Sequence, residues 1–488
     1  MIKKLINKYN SMPLVAKSAI WFTACNILLK GLSFITVPIF TQLIPTEEYG
    51  KLTLFLSYEQ IILIFATWEI HIGAYQRGLF RYKETPKEFT SNTMVLINIL
   101  TIICGILVVC FRDKFKSFTG MDDCTIFLLF IYFLFIPSYF AWLIKKRTSY
   151  EYKKATGVTI AFSILNIIIP LLAVIFINAT AYVKFNSTLI ISALFGVVIY
   201  FSTVSYTSIS KDKSTLFSQW KYLLIYQAPL VLHSLSYYVL NQADRVMIGK
   251  MIGNEEAAFY GVAYTLAMAI TILQYSLDQA LIPWRYHKLE ENNFIIINKS
   301  TNSILIIFGS IVLFFILIAP DIFYLLLPEN YHSAVWCIPP IVAGTFFMLL
   351  YSIFVSVETY YEKTKYVMFI SIVCGIFNIA ANYICIPLFG YISCAYTTLL
   401  SYILFAILHY FCAKFIFKRI LSQFTIFSGY KILAISSIIV VLSLLFTLLY
   451  NFALARYFMC FTIILLGFIF RKRVLIFLNI LKTRKYSN

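Results

Sequence analysis

The sequence predicts an all-α membrane protein of about fourteen transmembrane helices. Three observations carry this. Of its 488 residues, 61% are hydrophobic and only 12% are charged, where a soluble chain carries about 25% charged residues. Apolar runs of about 18 residues or more recur from end to end, each long enough to cross the hydrocarbon of a bilayer. Lysine and arginine alternate between rich and poor connections, as membrane orientation requires.

Taken in order, the spans are expected near residues 15–43, 51–72, 91–111, 125–144, 157–177, 185–207, 222–249, 257–282, 300–319, 334–360, 366–386, 391–413, 430–450 and 454–470. The first run is too long for a signal peptide, and no small-residue cleavage site follows it. Leu43-Ile-Pro-Thr-Glu-Glu-Tyr-Gly50 turns it into the second span. Basic clusters then close alternate spans: Arg77 to Lys87, Lys145 to Lys154, Lys211 to Lys221, Arg285 to Lys299, Lys363 with Lys365, and Lys414 to Lys431. The sixth span is rich in Ser and Thr. The seventh runs from Tyr222 to Asp244 and Arg245, and a polar turn (Gly253, Asn254, Glu255, Glu256) follows it. The eighth opens at Ala257 with Gly261 in its first turns. After Arg471, the stretch VLIFLNILK reads either as a short helix on the inner surface or as a plain helix end.

With the N-terminus placed in the cytoplasm, inner segments hold 31 of the 40 Lys and Arg, outer loops hold 7, and Lys30 and Arg245 fall within spans. The imbalance predicts an even number of spans with both termini cytoplasmic. The outer loops are short, so function is expected between the helices. A net charge of +19 spread over many loops points to anionic lipid rather than nucleic acid.

A weak repeat runs through the chain. Tyr49-Gly50 and Tyr260-Gly261 lie 211 residues apart, and Asn166 and Asn378, each preceded by a lysine (Lys154, Lys365), lie 212 apart. The expected organisation is an N-terminal lobe at 1–213 (spans 1–6), a C-terminal lobe at 214–420 (spans 7–12), and two extra spans with a basic tail at 421–488. Six helices per lobe relate the halves by a pseudo-two-fold along the membrane normal. No phosphate-cradling loop, Walker motif, Cys/His metal cluster or nucleophile elbow is present. The ten cysteines lack paired spacing and read as small hydrophobes. Asn178, Asn186 and Asn298 match the glycan acceptor pattern by accident of length. A non-enzyme without cofactor is expected.

The stretch Asp244-Arg245, Ile248-Gly249, Gly253, Tyr260-Gly261, Ala263-Tyr264 resembles the motif of the polysaccharide transporter family, the O-antigen flippase (Wzx-type) branch of a superfamily that includes multidrug and toxin extrusion transporters and lipid II flippases. Lys30-Gly31, Pro38 and Glu48-Tyr49-Gly50 resemble the family's start. Asn378, Asn382, Ile386-Pro387, Phe389-Gly390 and Ala395-Tyr396 resemble its eleventh and twelfth spans. The resemblance implies two six-helix lobes around a central cavity. It implies a flippase that carries an undecaprenyl-pyrophosphate-linked oligosaccharide, such as an O-antigen or capsule repeat unit, to the outer leaflet by alternating access. A proton or sodium gradient would drive it. Partners implied are the lipid-linked substrate, the membrane and other polysaccharide assembly proteins, with the chain itself monomeric. The alternatives are a multidrug cation antiporter of the same superfamily and, in another class, an integral-membrane polysaccharide polymerase or ligase. Mid-membrane Lys30 favours an anionic cargo over a cationic drug.

Intramembrane charges usually line a path. Lys30, midway along the first span, is expected either to meet pyrophosphate or to pair with Glu59 of the second span. Asp244 either takes a coupling ion or anchors the interface, and Arg245 either binds phosphate or does the same. Asn378 and Asn382, at i and i+4, share a helix face. The resemblance to lipid II flippases implies a sodium site at Asp244, Asn378, Asn382 and Thr397 or Thr398. That pattern has an acid where this chain has Asn382. The amides read equally as interhelical glue. Asp278 with Gln274 and Gln279, and Glu69 with His71, are expected with Arg77, Arg81 and Arg285 at a polar inner mouth. The alternative makes them ordinary interface residues. His233 is a proton relay or a packing histidine. Glu358 is expected to meet Lys363 or Lys365.

Overall fold

The computed structural model describes residues 14–149, 151–204, 206–421 and 426–469. The tail after Arg471, and both readings of it, fall outside the described residues. Among those described, all regular structure is helical. Eleven stretches are long and apolar enough to cross a membrane, and three further helices complete the expected fourteen spans. These three are α1 (Leu14–Leu43), α2 (Thr46–Thr67), which carries Glu47, Glu48, Lys51 and Glu59, and the last helix, Ala453–Ile469, of 17 residues.

The first unit, Met1–Gly249, comprises α1, α2, α3 (Gly73–Arg81), α4 (Pro86–Cys110), α5 (Arg112–Thr119), α6 (Asp123–Thr148), α7 (Tyr152–Phe176), α8 (Ala181–Thr203) and nearly all of α9 (Lys213–Met251). The second, Lys250–Asn488, comprises α10 (Asn254–Ala267), α11 (Thr271–Glu290), α12 (Phe294–Leu326), α13 (Ile338–Tyr360), α14 (Thr364–Phe389), α15 (Ser393–Leu421), α16 (Gly429–Leu448) and α17 (Ala453–Ile469). A single 3₁₀ turn, Met268–Ile270, joins α10 to α11. Helix α9 continues past Asp244 and Arg245 to Met251, so the acid–base pair lies inside a helix and not at its end.

Local chemistry sets the helix ends. Asp122 accepts from the Thr125 amide at 2.9 Å and caps α6. Thr180 accepts from the Val183 amide and caps α8, where Glu48 of α2 also takes the Ala181 amide at 2.9 Å. These bonds satisfy donors that a helix start otherwise leaves open. Asp212 caps α9 in the preceding loop. The Thr215 hydroxyl, with the Thr215 and Ser214 amides, holds its carboxyl below the usual range. Helix α5 is tied to α6 by Asp123, which accepts from Arg112 and, at 2.9 Å, from Lys116.

Close packing within each unit comes from small residues. In the first unit, α6 lies along α8. A Cβ on Gly196 would stand 2.6 Å from the Phe135 carbonyl carbon, and the Ser138 hydroxyl donates to the Gly196 carbonyl at 2.9 Å. In the second unit, α13 is the central helix. It runs along α15, packs on α12 and α11, and is buried along most of its length. Helix α17 is held to α12 by Arg456, which donates to Asp321 at 2.6 and 2.9 Å and to the Leu317 carbonyl at 2.9 Å.

Candidate functional site

In the first unit, polar side chains from α2, α6, α8 and α9 gather within the apolar helices. The Glu59 carboxylate of α2 faces the Tyr132 hydroxyl of α6 and lies in electrostatic range of Lys184 of α8. Lys184 sits in the first turn of α8, with its ammonium 5.3 Å from the centre of the Phe40 ring and 3.4 Å from the Thr188 hydroxyl. No direct ion pair joins Lys184 to Glu59 among the described residues. Beside them, Gln60 accepts from Gln242 of α9 at 2.7 Å, and Ser57 donates to Gln242 at 3.2 Å. Arg245 donates to the Gln242 side chain, and to the Asn241 carbonyl at 3.1 Å. Asp244 is fully buried next to it. Gly249 lets α9 approach α2, since a Cβ there would meet Leu54 at 2.7 Å.

A second polar group lies where α2 ends. Trp68 (φ 51°) and Glu69 (φ 48°) adopt the left-handed conformation, which costs a non-glycine residue roughly 1–2 kcal/mol and tends to persist at functional corners. The turn buries Glu69, whose carboxylate faces Ser234, and His71. The His71 ring stacks on Phe140 at 5.4 Å, and neither of its nitrogens has a hydrogen-bond partner. The corner is closed by Gln227 of α9, which accepts from the Ala74 amide at 2.9 Å.

The second unit also gathers polar side chains among its described residues. Asn378 donates to Ser401 at 3.2 Å, Asn382 donates to Asn378 at 3.3 Å, and Thr397 donates to Asn382. The i, i+4 pair thus binds α14 to α15. Both amide oxygens already accept a bond inside the set, and all its oxygens are neutral. These residues form a hydrogen-bonded clasp between the two helices. Asp278 of α11 accepts from Ser352 of α13 at 2.5 Å and from Gln274 at 3.4 Å. Arg285, about two helical turns further and fully buried, donates to Ser356 of α13 at 2.5 Å. Glu358 meets His409 of α15 at 2.8 Å, both fully buried.

These placements revise several expectations. Glu358 does not meet Lys363 or Lys365 through its side chain. It faces inward to His409, and Lys363 touches it only as a backbone amide on the Glu358 carbonyl. Arg77 is exposed on α3, while Arg285 is locked onto α13, so the two are not alike in environment. Gln279 is exposed and Gln274 and Asp278 are buried. Arg81 stacks on Tyr222 at 4.6 Å. His233 is half-buried in α9. Lys30 belongs to α1, and its side chain lies outside the described residues. Glu59 has as its electrostatic neighbour Lys184, one residue before the span expected at 185–207. His409 was not singled out. Its only sequence signal is its place in an apolar run, shared with many packing histidines.

The model of the polysaccharide biosynthesis protein family matches residues 15–287, and that of the MatE family matches residues 229–384. A curated relative, Lsg locus putative protein 1 of Haemophilus influenzae, is 20% identical over 75% of this chain and 90% of its own length. Among solved structures, lipid II flippase MurJ in an inward closed conformation aligns with TM-score 0.64 at 14% identity, over 93% of this chain and 100% of that one. An inward-facing multidrug resistance MATE transporter of the MOP superfamily aligns with TM-score 0.61 at 14% identity, over 82% and 96%. The all-helical fold is therefore that of MOP superfamily transporters, and the chain, matched over more than half its length, belongs to the polysaccharide biosynthesis protein family.

Proposed function

We propose that the chain is a flippase. It takes an undecaprenyl-pyrophosphate-linked oligosaccharide, an O-antigen or capsule repeat unit, from the cytoplasmic to the outer leaflet by alternating access, coupled to an ion gradient. Membership of a polysaccharide biosynthesis family and the fold shared with a lipid II flippase both support this reading. The observation that carries it is Lys184. Its ammonium, in the first turn of α8, lies in electrostatic range of Glu59 with no ion pair between them, which leaves it able to meet an anion. A pyrophosphate entering the first unit would replace the weak attraction of Glu59 with a charge-assisted hydrogen bond. Glu59 would then be left to Tyr132. The chain is a multi-pass protein of the bacterial inner membrane, monomeric, with both termini in the cytoplasm. Its other partners are the assembly proteins that make and use the repeat unit.

The second reading is a multidrug antiporter. The MatE match, the half-buried Glu59 and the buried acids Glu69 and Asp278 favour it, because acids attract cationic drugs. One experiment separates the two. In a strain lacking the gene, the flippase reading expects the wild-type chain to restore surface polysaccharide. Lys184→Ala, at equal protein level, should lower it at least about tenfold, the cost of one charge-assisted bond. Lys184→Arg should keep part of it. Resistance to cationic drugs without polysaccharide would establish the antiporter instead.

A further inference from the structure

We infer that the seam between α13, α15 and α16 holds one acyl chain of an anionic phospholipid, with the headgroup phosphate met by Lys414, Lys418 and Lys431. The seam follows from how the helices of the second unit pack. Helix α13 runs along α15, and α16 packs on α12 and α13. No comparable packing joins α16 to α15 among the described residues. The space left between them is a cavity of 790 Å³, within the range of about 300–1,000 Å³ that suits a small ligand. Two helical stripes wall it: Ile403, Ile407 and Phe411 of α15, and Leu433, Ser437 and Val441 of α16, each at i, i+4. Ile407, Phe411, Leu433 and Val441 are exposed, so the seam opens to what solvates the unit. For helices this apolar, that is lipid.

Length and charge select the occupant. From Gly429 to Val441 the seam runs about 18 Å at 1.5 Å per residue, close to the roughly 15 Å of hydrocarbon in one leaflet. It therefore fits a chain confined to a single leaflet. Its Gly429 end is closed by Tyr410 of α15, since a Cβ on Gly429 would collide with the Tyr410 hydroxyl. That hydroxyl sits where apolar wall gives way to charge, at the depth of a lipid ester. Beyond it the α15 stripe continues as Lys414 and Lys418, both exposed. Lys431 lies at the start of α16, with its ammonium 5.7 Å from the Tyr430 ring centre. None of the three lysines is in an ion pair among the described residues. From Lys363 to Asn488 the sequence holds no Asp or Glu. Of the acids at the end of α13, Glu358 faces His409, and Glu362 lies beyond the helix. An apolar slot one leaflet deep with a wholly cationic mouth fits a phospholipid with a negative headgroup. The site lies within the second unit and does not rest on the flippase reading.

Photolabelling tests it. The full-length chain in detergent is mixed with phosphatidylglycerol that carries a diazirine midway along one acyl chain, and irradiated. Mass spectrometry then locates the label. It should fall on Ile403, Ile407 or the stretch from Ser437 to Val441. Unlabelled phosphatidylglycerol should compete at least about tenfold better than phosphatidylcholine, given three lysines near one phosphate. Lys414→Gln/Lys418→Gln/Lys431→Gln, at exposed positions where folding is not at stake, should bring the two competitors within about threefold. Ser437→Phe, which fills the slot, should at least halve labelling there and leave labelling elsewhere unchanged. Label scattered over all lipid-facing helices, or a triple variant that keeps the full preference, overturns the proposal. So does undecaprenyl phosphate displacing the label better than phosphatidylglycerol, which would give the seam to an isoprenoid tail.

Discussion

Gly196→Ala should unfasten the first unit. The substituted methyl would lie 2.6 Å from the Phe135 carbonyl carbon, 2.8 Å from its oxygen and 2.9 Å from the Ile136 nitrogen. These are backbone atoms, so no side-chain rotation relieves the clash. Carbon atoms sit comfortably at about 3.5–4.0 Å, so α6 and α8 must part by roughly 1 Å. The Ser138–Gly196 hydrogen bond, now 2.9 Å, would stretch beyond bonding range, at a cost of about 0.5–1.5 kcal/mol. The cluster of Ile136, Tyr139 and Ile199 with its aromatic neighbours would loosen, and overpacking of this kind costs about 1–3 kcal/mol. The total is about 2–4 kcal/mol, or roughly 5–12 °C in melting temperature for a unit of this size. Thermal unfolding of purified protein in detergent measures it. Gly157→Ala is the control: its Cβ meets nothing within 4 Å, and losing a mid-helix glycine should leave stability equal or slightly raised. If Gly196→Ala melts with the wild type, the close approach of α6 to α8 is wrong.

Three further outcomes are expected. Lys30→Ala should abolish surface polysaccharide while Lys30→Arg keeps part of it; normal export by the alanine variant at normal abundance would remove Lys30 from substrate binding. Asp244→Lys should break ion coupling, and export that still collapses with the ion gradient would exclude Asp244 as an ion site. Asp321→Ala leaves the buried Arg456 with the Leu317 carbonyl and the face of Tyr457 but no carboxylate, and should cost about 1–3 kcal/mol. The usual figure for a broken buried pair is reduced here because the Asp321 side chain is 37% exposed. A melting temperature within a degree or so of wild type would show that α17 does not depend on this pair.

The helices were legible because each needs only a run of apolar residues; their ends were not, since the helices behind Asp122, Thr180 and Asp212 start two, four and nine residues before the expected spans. The face shared by Asn378 and Asn382 was legible because i, i+4 spacing is a local property. Partners across helices were not. Glu358 lies beside lysines in sequence, and its true partner is 51 residues away. Lys184 follows a cap by four residues and so reads as a loop end. Only the fold shows that Phe40 and Glu59 flank it. The left-handed Trp68 and Glu69 left no trace in the sequence, since neither residue type favours that conformation. Long-range contact and backbone strain are set by how helices meet, which periodicity does not encode.

The two units handle buried charge in opposite ways, and the difference bears on mechanism. In the first, Lys184 and Glu59 attract without touching, and a tyrosine hydroxyl and a threonine hydroxyl attend them separately. Little is lost when such a pair is parted, so an incoming anion needs only a modest binding energy to take the lysine. In the second, Glu358 and His409 close to 2.8 Å with no exposure, and parting them would leave two buried polar groups without partners. Such a contact holds helices together, whereas the loose pair of the first unit can be parted at little cost.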